Sequence, residues 1–293
     1  MKVLATVQNK GGVGKTTVAR LLAEWFARRG VKTLVLDLDS QCNLSQRFLH
    51  MDFEPTDPDG VLPPIHPDFD VEMAEEGWHG RSSSADVYFA GEVFPYPTRW
   101  PALDILPGEG HKLREIEMVR AEEVKDKVHD RLRRFLGMPE VRQQYQLALI
   151  DTSPSKGPLT VSAVRAATDL IIPIKLEPQS IEGLFGMLQL WRRENRKRTE
   201  NDELRILCIQ PNLFRKGVAL HEGLLANLLS DESVAPFLAE QRLHQRIAFA
   251  ESDHPDAEPK SVFDLKESDP ARQEAESFCR AVERKLFRSV ERG

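Results

Sequence analysis

Apolar residues along the chain fall into two kinds of segment that alternate. Short, nearly continuous aliphatic runs occur at KVLATVQ (2–8), VKTLVLDLD (31–39), LDILP (103–107), YQLALID (145–151), DLIIPIK (169–175) and LRILCIQPN (204–212). Runs of that length without regular polar interruption predict strands buried on both faces. Between most of them, apolar positions recur every three to four residues. That spacing predicts helices over TTVARLLAEWFARRG (16–30) and over 112–136, 180–198, 218–230 and 270–288. Strands alternating with helices predict an α/β fold: a doubly wound, mostly parallel sheet with helices on both faces.

One stretch breaks the alternation. From Asp52 to Glu76 there are nine acidic residues, no lysine or arginine, and prolines at 55, 58, 63, 64 and 67. Such a composition buries little apolar surface to offset the entropy of ordering it. It predicts an acidic, Pro-rich surface insertion at about 52–84, partly extended and mobile; docking of a basic partner is the alternative to plain solvation. At 293 residues the chain is expected to form a single domain spanning 1–293 around this insertion.

Candidate chemistry lies between the first strand and the first helix, in QNKGGVGKTT (8–17). The phosphate-loop consensus G-x-x-x-x-G-K-[ST] aligns on Gly14, Lys15 and Thr16, but its leading glycine falls on Asn9, and an extra cation, Lys10, stands at the entrance. Gly11, Gly12 and Gly14, with Val13 between them, allow backbone N–H groups to converge on phosphate oxygens at a helix N-terminus. Lys15 is placed to reach the β- and γ-phosphates, Thr16 to put its hydroxyl on Mg²⁺, and Thr17 to reach the α-phosphate. Magnesium also needs carboxylates, and two predicted strands end in them: Asp37 and Asp151 are assigned to the water shell of the metal, and Asp39 to orienting an attacking water. Any one of these aspartates taken alone has a helix cap as its alternative reading.

Composition adds mainly exclusions. No apolar run approaches the roughly 18 residues of a membrane span, so no membrane is expected. Cys42, Cys208 and Cys279 are odd in number and widely spaced, which points away from a disulfide framework or zinc site and toward a reducing cytoplasm. The opening residues leave no room for a cleavable leader before the glycine loop. A net charge of −6 disfavours binding nucleic acid over the whole surface but allows a local basic patch.

With these motifs the sequence resembles the ParA/Soj family of partition ATPases, within the deviant phosphate-loop class that includes MinD. KGGVGKTT matches the family loop. DLDSQCN (37–43) stands where the family has D-x-D-P-Q-x-N, and DTSPSKGPLTVSAVRAATDLIIPIKLEPQSIEGL (151–184) follows its D-x-P-P-S segment. The resemblance implies ATP and Mg²⁺ as cofactors and a homodimer formed with ATP. Lys10 would be the signature lysine that reaches the partner's phosphates across a nucleotide sandwich. Asp39 would be the hydrolytic aspartate, Asp151 would close the metal site, and Pro211 with Asn212 would hold adenine. Ser40 and Ser153 stand where the family has prolines, which bears on how the loops around the site respond to nucleotide. The early glycine loop resembles the short type without an N-terminal helix-turn-helix.

The densest basic cluster is WRRENRKR (191–198): Arg192, Arg193, Arg196, Lys197 and Arg198, with Arg215 and Lys216 one strand later. These are candidate contacts to nonspecific DNA; the alternative is a helix C-terminus whose cations answer only its dipole. The function expected from the resemblance is ATP-dependent partition of a plasmid, chromosome region or mobile element. The ATP dimer would sit on DNA and be released when a ParB-like DNA-binding partner stimulates hydrolysis, giving a cytoplasmic, nucleoid-associated protein. The alternative is a MinD-like, membrane-associated spatial regulator. Its anchor would be the tail AVERKLFRSVERG (281–293), with Val282, Leu286, Phe287 and Val290 among basic residues; the plainer expectation docks this tail as the final helix of the core.

Overall fold

A computed structural model of the chain describes residues 1–54, 56–57, 60–70, 78–89, 91–119, 122–199, 202–252 and 261–287. β1 (Lys2–Thr6), α1 (Lys15–Arg28), β2 (Thr33–Leu38) and the single turn α2 (Ser45–Phe48) come first. The insertion supplies β3 (Asp52–Phe53) and β4 (Val61–Leu62), followed by α3 (Asp86–Phe89), β5 (Tyr96–Pro97) and β6 (Leu103–Leu106). Next come α4 (Gly110–Glu117), α5 (Glu122–Gly137), α6 (Pro139–Gln144), β7 (Leu147–Thr152), α7 (Pro158–Ala166), β8 (Asp169–Ile174) and α8 (Pro178–Asn195). β9 (Arg205–Pro211), α9 (Ala219–Ser230), α10 (Ile247–Glu251) and α11 (Pro270–Phe287) complete the order.

The main sheet runs β5-β6-β2-β7-β1-β8-β9. All its pairings are parallel except that of β5, an antiparallel edge strand not expected from the sequence. α1 carries the chain from β1 past β7 to β2, whereas α7 carries it from β7 past β1 to β8. Crossovers of one hand running in opposite directions lie on opposite faces of a sheet, leaving a crevice at the carboxyl ends of β1 and β7. Burial agrees with the period of two along each strand. Leu4, Val35, Leu149 and Ile171 pack with Phe26 of α1 and Phe278 of α11. Val3, Ala5, Leu36, Ile150 and Ile172 pack on the other side with Leu132 of α5, Val164 of α7 and Leu188 of α8.

Two expectations are revised and one, the docked terminal helix, is met. The helix expected over 112–136 is two: α4 ends at Glu117, and α5 begins at Glu122 and lies on α7, where Ser162 Oγ donates to the Val128 carbonyl at 3.2 Å. Both pieces are amphipathic, so periodicity alone could not reveal the break. The terminal helix is core, not a free amphipathic tail: Val282 and Leu286 are buried and Phe287 packs against them, while Val290 lies outside the described residues.

The insertion is also better folded than its composition suggests. β3 and β4 form a small antiparallel pair, and Arg81 donates to Asp52 at 2.7 Å and to the Pro63 carbonyl. Behind them, the buried His66 ring lies 4.6 Å from Tyr96, and Trp78 lies 4.4 Å from Phe94 and 4.9 Å from Phe69. The Tyr96 hydroxyl accepts the Ser82 N–H at 3.0 Å and donates to the Pro64 carbonyl at 2.8 Å, tying this aromatic cluster to the sheet edge. Acids and prolines dominate the local composition, but the aromatic residues come together from separated positions. Pro55, Pro58, Asp59, Glu72, Glu75 and Glu76 lie outside the described residues. Tyr96→Phe leaves one buried donor and one acceptor unpaired and is expected to cost about 1–3 kcal/mol in urea unfolding, with earlier proteolysis within 52–84.

Candidate active site

The phosphate loop leaves β1 and enters α1 through two left-handed glycines, Gly12 (φ 68°) and Gly14 (φ 85°). Gly14 is the N-cap of α1, and no side chain caps that end, so the first N–H groups of the helix stay open to an anion. A Cβ on Gly14 would stand 2.8 Å from Asn212 Nδ2, which itself donates to the Val13 carbonyl at 3.0 Å. The end of β9 is thereby clamped to the loop. Lys15 is nearly buried, with Nζ 3.3 Å from the Lys10 carbonyl. Burial lowers its pKa, while Asp151 and Asp39 pull it back up.

Register brings the carboxylates together. Asp151 of β7 is paired with Thr6 of β1 on one side and with Asp37 of β2 on the other. Asp151 accepts from Thr16 Oγ1 at 2.6 Å and from Thr6 Oγ1 at 3.0 Å. Asp37 accepts from Ser45 Oγ at 2.7 Å, Ser45 N at 2.9 Å and Asp39 N at 3.1 Å. Both are fully buried and are held above the ordinary carboxylate range, chiefly by burial. For Asp37 the charge of Asp151 adds to this; for Asp151 the Thr16 hydroxyl and Lys15 oppose it. Asp39 is buried at the strand end, and its Oδ1 accepts from Gln41 N at 3.1 Å. Its second oxygen has no hydrogen-bond partner among the described residues.

Lys10 is half-exposed, with Nζ 3.9 Å from Glu182 at the start of α8. Its stem crosses that helix at Gly183, where a Cβ would meet Lys10 Cγ at 2.8 Å. Of the two residues assigned to adenine, one lines a pocket. Asn212 lines an open pocket of about 580 Å³ with Gly14, Thr17, Leu213, Arg215, Gln245, Arg246 and Ile247. Pro211 does not line it. Asn212 Oδ1 is buried without a partner beside the pocket, an acceptor left for a ligand amino group. The 243–250 wall was not foreseen, since no motif marks it and only tertiary packing carries it to the loop.

The basic residues do not form one patch. α8 starts beside Lys10 and runs about 27 Å, by its 18 residues, to the far edge of the sheet, whereas Arg215 and Lys216 follow β9 at the nucleotide edge. Arg192, Arg193, Arg196 and Lys197 are exposed. Arg193 and Lys197 also donate to Glu194 at 2.9 and 3.0 Å. Burial pushes Glu194 up, but Lys197 and Arg165 outweigh it and hold the carboxylate below its usual range. Arg198 must be removed from the candidates: its side chain is 4% exposed and donates to the Val164 and Arg165 carbonyls at 2.8 Å.

Residues 1–206 match the family model described as an AAA domain. The chain belongs to that family, among the ParA/Soj partition ATPases. Soj, a chromosome-partitioning ATPase of Thermus thermophilus, is 26% identical over 77% of this chain and 74% of its own length. A protein named for replication, replication protein A of Sinorhizobium fredii, is 30% identical over 62% of this chain. The chain spans less than half the length of that relative and of its counterpart in Rhizobium rhizogenes, 41% and 46%. The ATP complex of a Cyanothece McdA variant superposes with a TM-score of 0.72 at 17% identity, over 97% of this chain and 96% of that one. Cobyrinic acid a,c-diamide synthase of Mycobacterium smegmatis, with an ATP analogue and magnesium, gives 0.67 at 21%, over 97% and 95%. Both likenesses establish the fold. Among the described residues no helix is long and apolar enough to cross a membrane.

The native state holds the protons of Asp37 and Asp151 more tightly than the unfolded chain does. Metal-free protein therefore loses stability as pH rises from the ordinary carboxylate value of 3.8 through the raised native values. Asp151→Asn is expected to raise the metal-free thermal midpoint at neutral pH by about 2–4 °C for each kcal/mol relieved. The same change is expected to abolish the Mg²⁺-dependent part of the shift produced by ATP, both effects being read by scanning fluorimetry.

Proposed function

We propose that this chain binds ATP with Mg²⁺ in the crevice at β1, β2 and β7, hydrolyses it as a sandwich dimer, and uses the nucleotide state to control binding to DNA in partition. The observation that carries the reading is the meeting of Thr16, Lys15 and Asp151 at the open N-terminus of α1, with Lys10 at the entrance. The open N–H groups and Lys15 answer the β- and γ-phosphates. Thr16 and Asp151 offer hard oxygens for Mg²⁺, directly and through water, with Asp37 behind them. When bound, Mg²⁺ neutralises charge on the phosphates. Asp39, braced by Gln41, has a free oxygen to orient the attacking water. Adenine fits between Asn212 and the 243–250 wall.

The Lys10 ammonium meets, among the described residues, the exposed Glu182 at a long 3.9 Å, so little opposes its delivery to a partner's phosphates. Charge supplied only on pairing would link ATP binding to dimerisation. DNA is read by Arg192, Arg193, Arg196 and Lys197, with Arg215 and Lys216 as a separate contact, and dimerisation doubles the phosphates neutralised. A ParB-like partner that speeds hydrolysis would end the cycle, at the nucleoid in the cytoplasm. The membrane alternative is weakened by the burial of Val282 and Leu286, which would have to leave the core to enter a bilayer.

Lys15→Ala is expected to abolish ATP binding. Lys10→Ala should leave ATP bound to a monomer that fails to dimerise in light scattering. Asp39→Ala should keep ATP binding, slow phosphate release by about 100-fold or more, and prolong the dimer. DNA retention should require ATP rather than ADP and fall when Arg192 and Arg196 are changed to alanine together. Equal, weak DNA binding with ATP, with ADP and without nucleotide would sink the switch.

A further inference from the structure

The loop that follows Asp151 is held from outside the phosphate site. Ser153 Oγ donates to Oε1 of Glu117 at 3.1 Å, and Ser155 Oγ donates to the same oxygen at 3.0 Å. The Ser155 hydroxyl also accepts the Gly157 N–H at 3.1 Å, and the Ser155 N–H donates to the Ser153 carbonyl at 2.8 Å. Glu117 is the last residue of α4, a helix fixed elsewhere by Arg114 to Asp57 at 3.1 Å and by Lys112 to Asp86 at 2.9 Å. The carboxylate is therefore presented from an anchored element.

Gly157 identifies this contact as built rather than incidental. Its backbone, φ −72° and ψ −175°, is open to any residue, so no left-handed turn demands glycine. A Cβ there would instead overlap Oε2 of Glu117 and stand 2.8 Å from its Cδ. A side chain at 157 would have to displace the carboxylate, so glycine leaves Glu117 this seat. Ser153 supplies the complementary reason. A proline at this position fixes φ and stiffens a loop without help, whereas serine leaves the path to be set by whatever binds its hydroxyl.

We propose that Glu117 is a positioning residue for hydrolysis, latching Ser153 and Ser155 so that the loop holds Thr152 and Asp151 in place. Thr152 transmits the constraint: its N–H donates to Asp151 Oδ1 at 3.1 Å and its hydroxyl to the Thr6 carbonyl at 2.8 Å. The inference rests on the reading above, in which Asp151 serves the magnesium ion. Glu117 itself touches neither nucleotide nor metal in that reading, so its loss affects turnover rather than ATP affinity.

The test compares Glu117→Ala, Glu117→Gln, Gly157→Ala, the Glu117→Ala/Gly157→Ala pair, and Ser153→Ala with Ser155→Ala. Hydrogen exchange at the Ser155 and Gly157 amides is read without nucleotide, and kcat, KM and ATP affinity with it. Glu117→Ala, Gly157→Ala and the serine pair are each expected to speed exchange by about tenfold. Each is also expected to lower kcat by about tenfold or more, with KM and ATP affinity within about twofold. Glu117→Gln keeps an oxygen acceptor and should stay near wild type. In the Glu117→Ala background, Gly157→Ala should add nothing, because its obstacle is gone. The proposal is overturned if the Glu117 and Gly157 penalties multiply, if Glu117→Gln is as damaging as Glu117→Ala, or if Gly157→Ala behaves as wild type. The serine pair leaves Glu117 and Gly157 intact, so it decides the matter even if another variant does not fold. A wild-type chain that binds ATP without hydrolysing it overturns the reading of the site, and the exchange pattern alone then upholds or overturns the latch.

Discussion

Two carboxylates buried face to face, Asp37 on β2 and Asp151 on β7, are the constraint around which this molecule is arranged. Burying like charges in register is costly, and the cost shows as raised pKa values on both. The chain offsets it with donors from three elements: Thr6 from β1, Thr16 and Lys15 from α1, and Ser45 from α2. None of these donors is near the carboxylates until the sheet is assembled. In the proposed function, a divalent cation bound there would relieve the repulsion between the two carboxylates.

Glycines set the approach of the surrounding elements. Gly14 admits Asn212, Gly183 admits the stem of Lys10, and Gly157 admits Glu117; each is a place where a side chain would push a functional group out of position. α8 joins the two ends of the molecule. It begins against Lys10 and ends in the exposed cations at Arg192–Lys197, none of which reaches the phosphate loop. Arg215, by contrast, lines the pocket beside Gly14 and Asn212, so the two basic groups stand at different distances from the loop.

The acidic insertion also meets the site. Its last residues return to the sheet, where Ser84 Oγ donates to the Asp37 carbonyl at 2.5 Å and Ser84 N to the Pro107 carbonyl at 2.8 Å. Asp57 holds α4 through Arg114. An aromatic cluster gives the segment enough apolar contact to hold a shape that its acids and prolines alone would not.

Much of this was legible in the chain itself. Continuous aliphatic runs alternating with helical spacing indicated the doubly wound sheet, because strands buried on both faces read as near-continuous apolar runs. KGGVGKTT and three aspartates at strand ends pointed to the proposed phosphate and metal site, and the structure brings Thr16, Lys15, Asp37 and Asp151 together there. Contacts between distant segments needed the tertiary structure. The split between α4 and α5, the 243–250 wall of the pocket, the aromatic packing of the insertion and the seat of Glu117 against Gly157 all depend on residues far apart in the chain. Arg198 makes the same point: its neighbours in sequence face solvent, but the ends of α7 and α8 meet around it and take its hydrogen bonds. Local pattern reports the face a residue prefers, and only packing decides what occupies the space that face looks into.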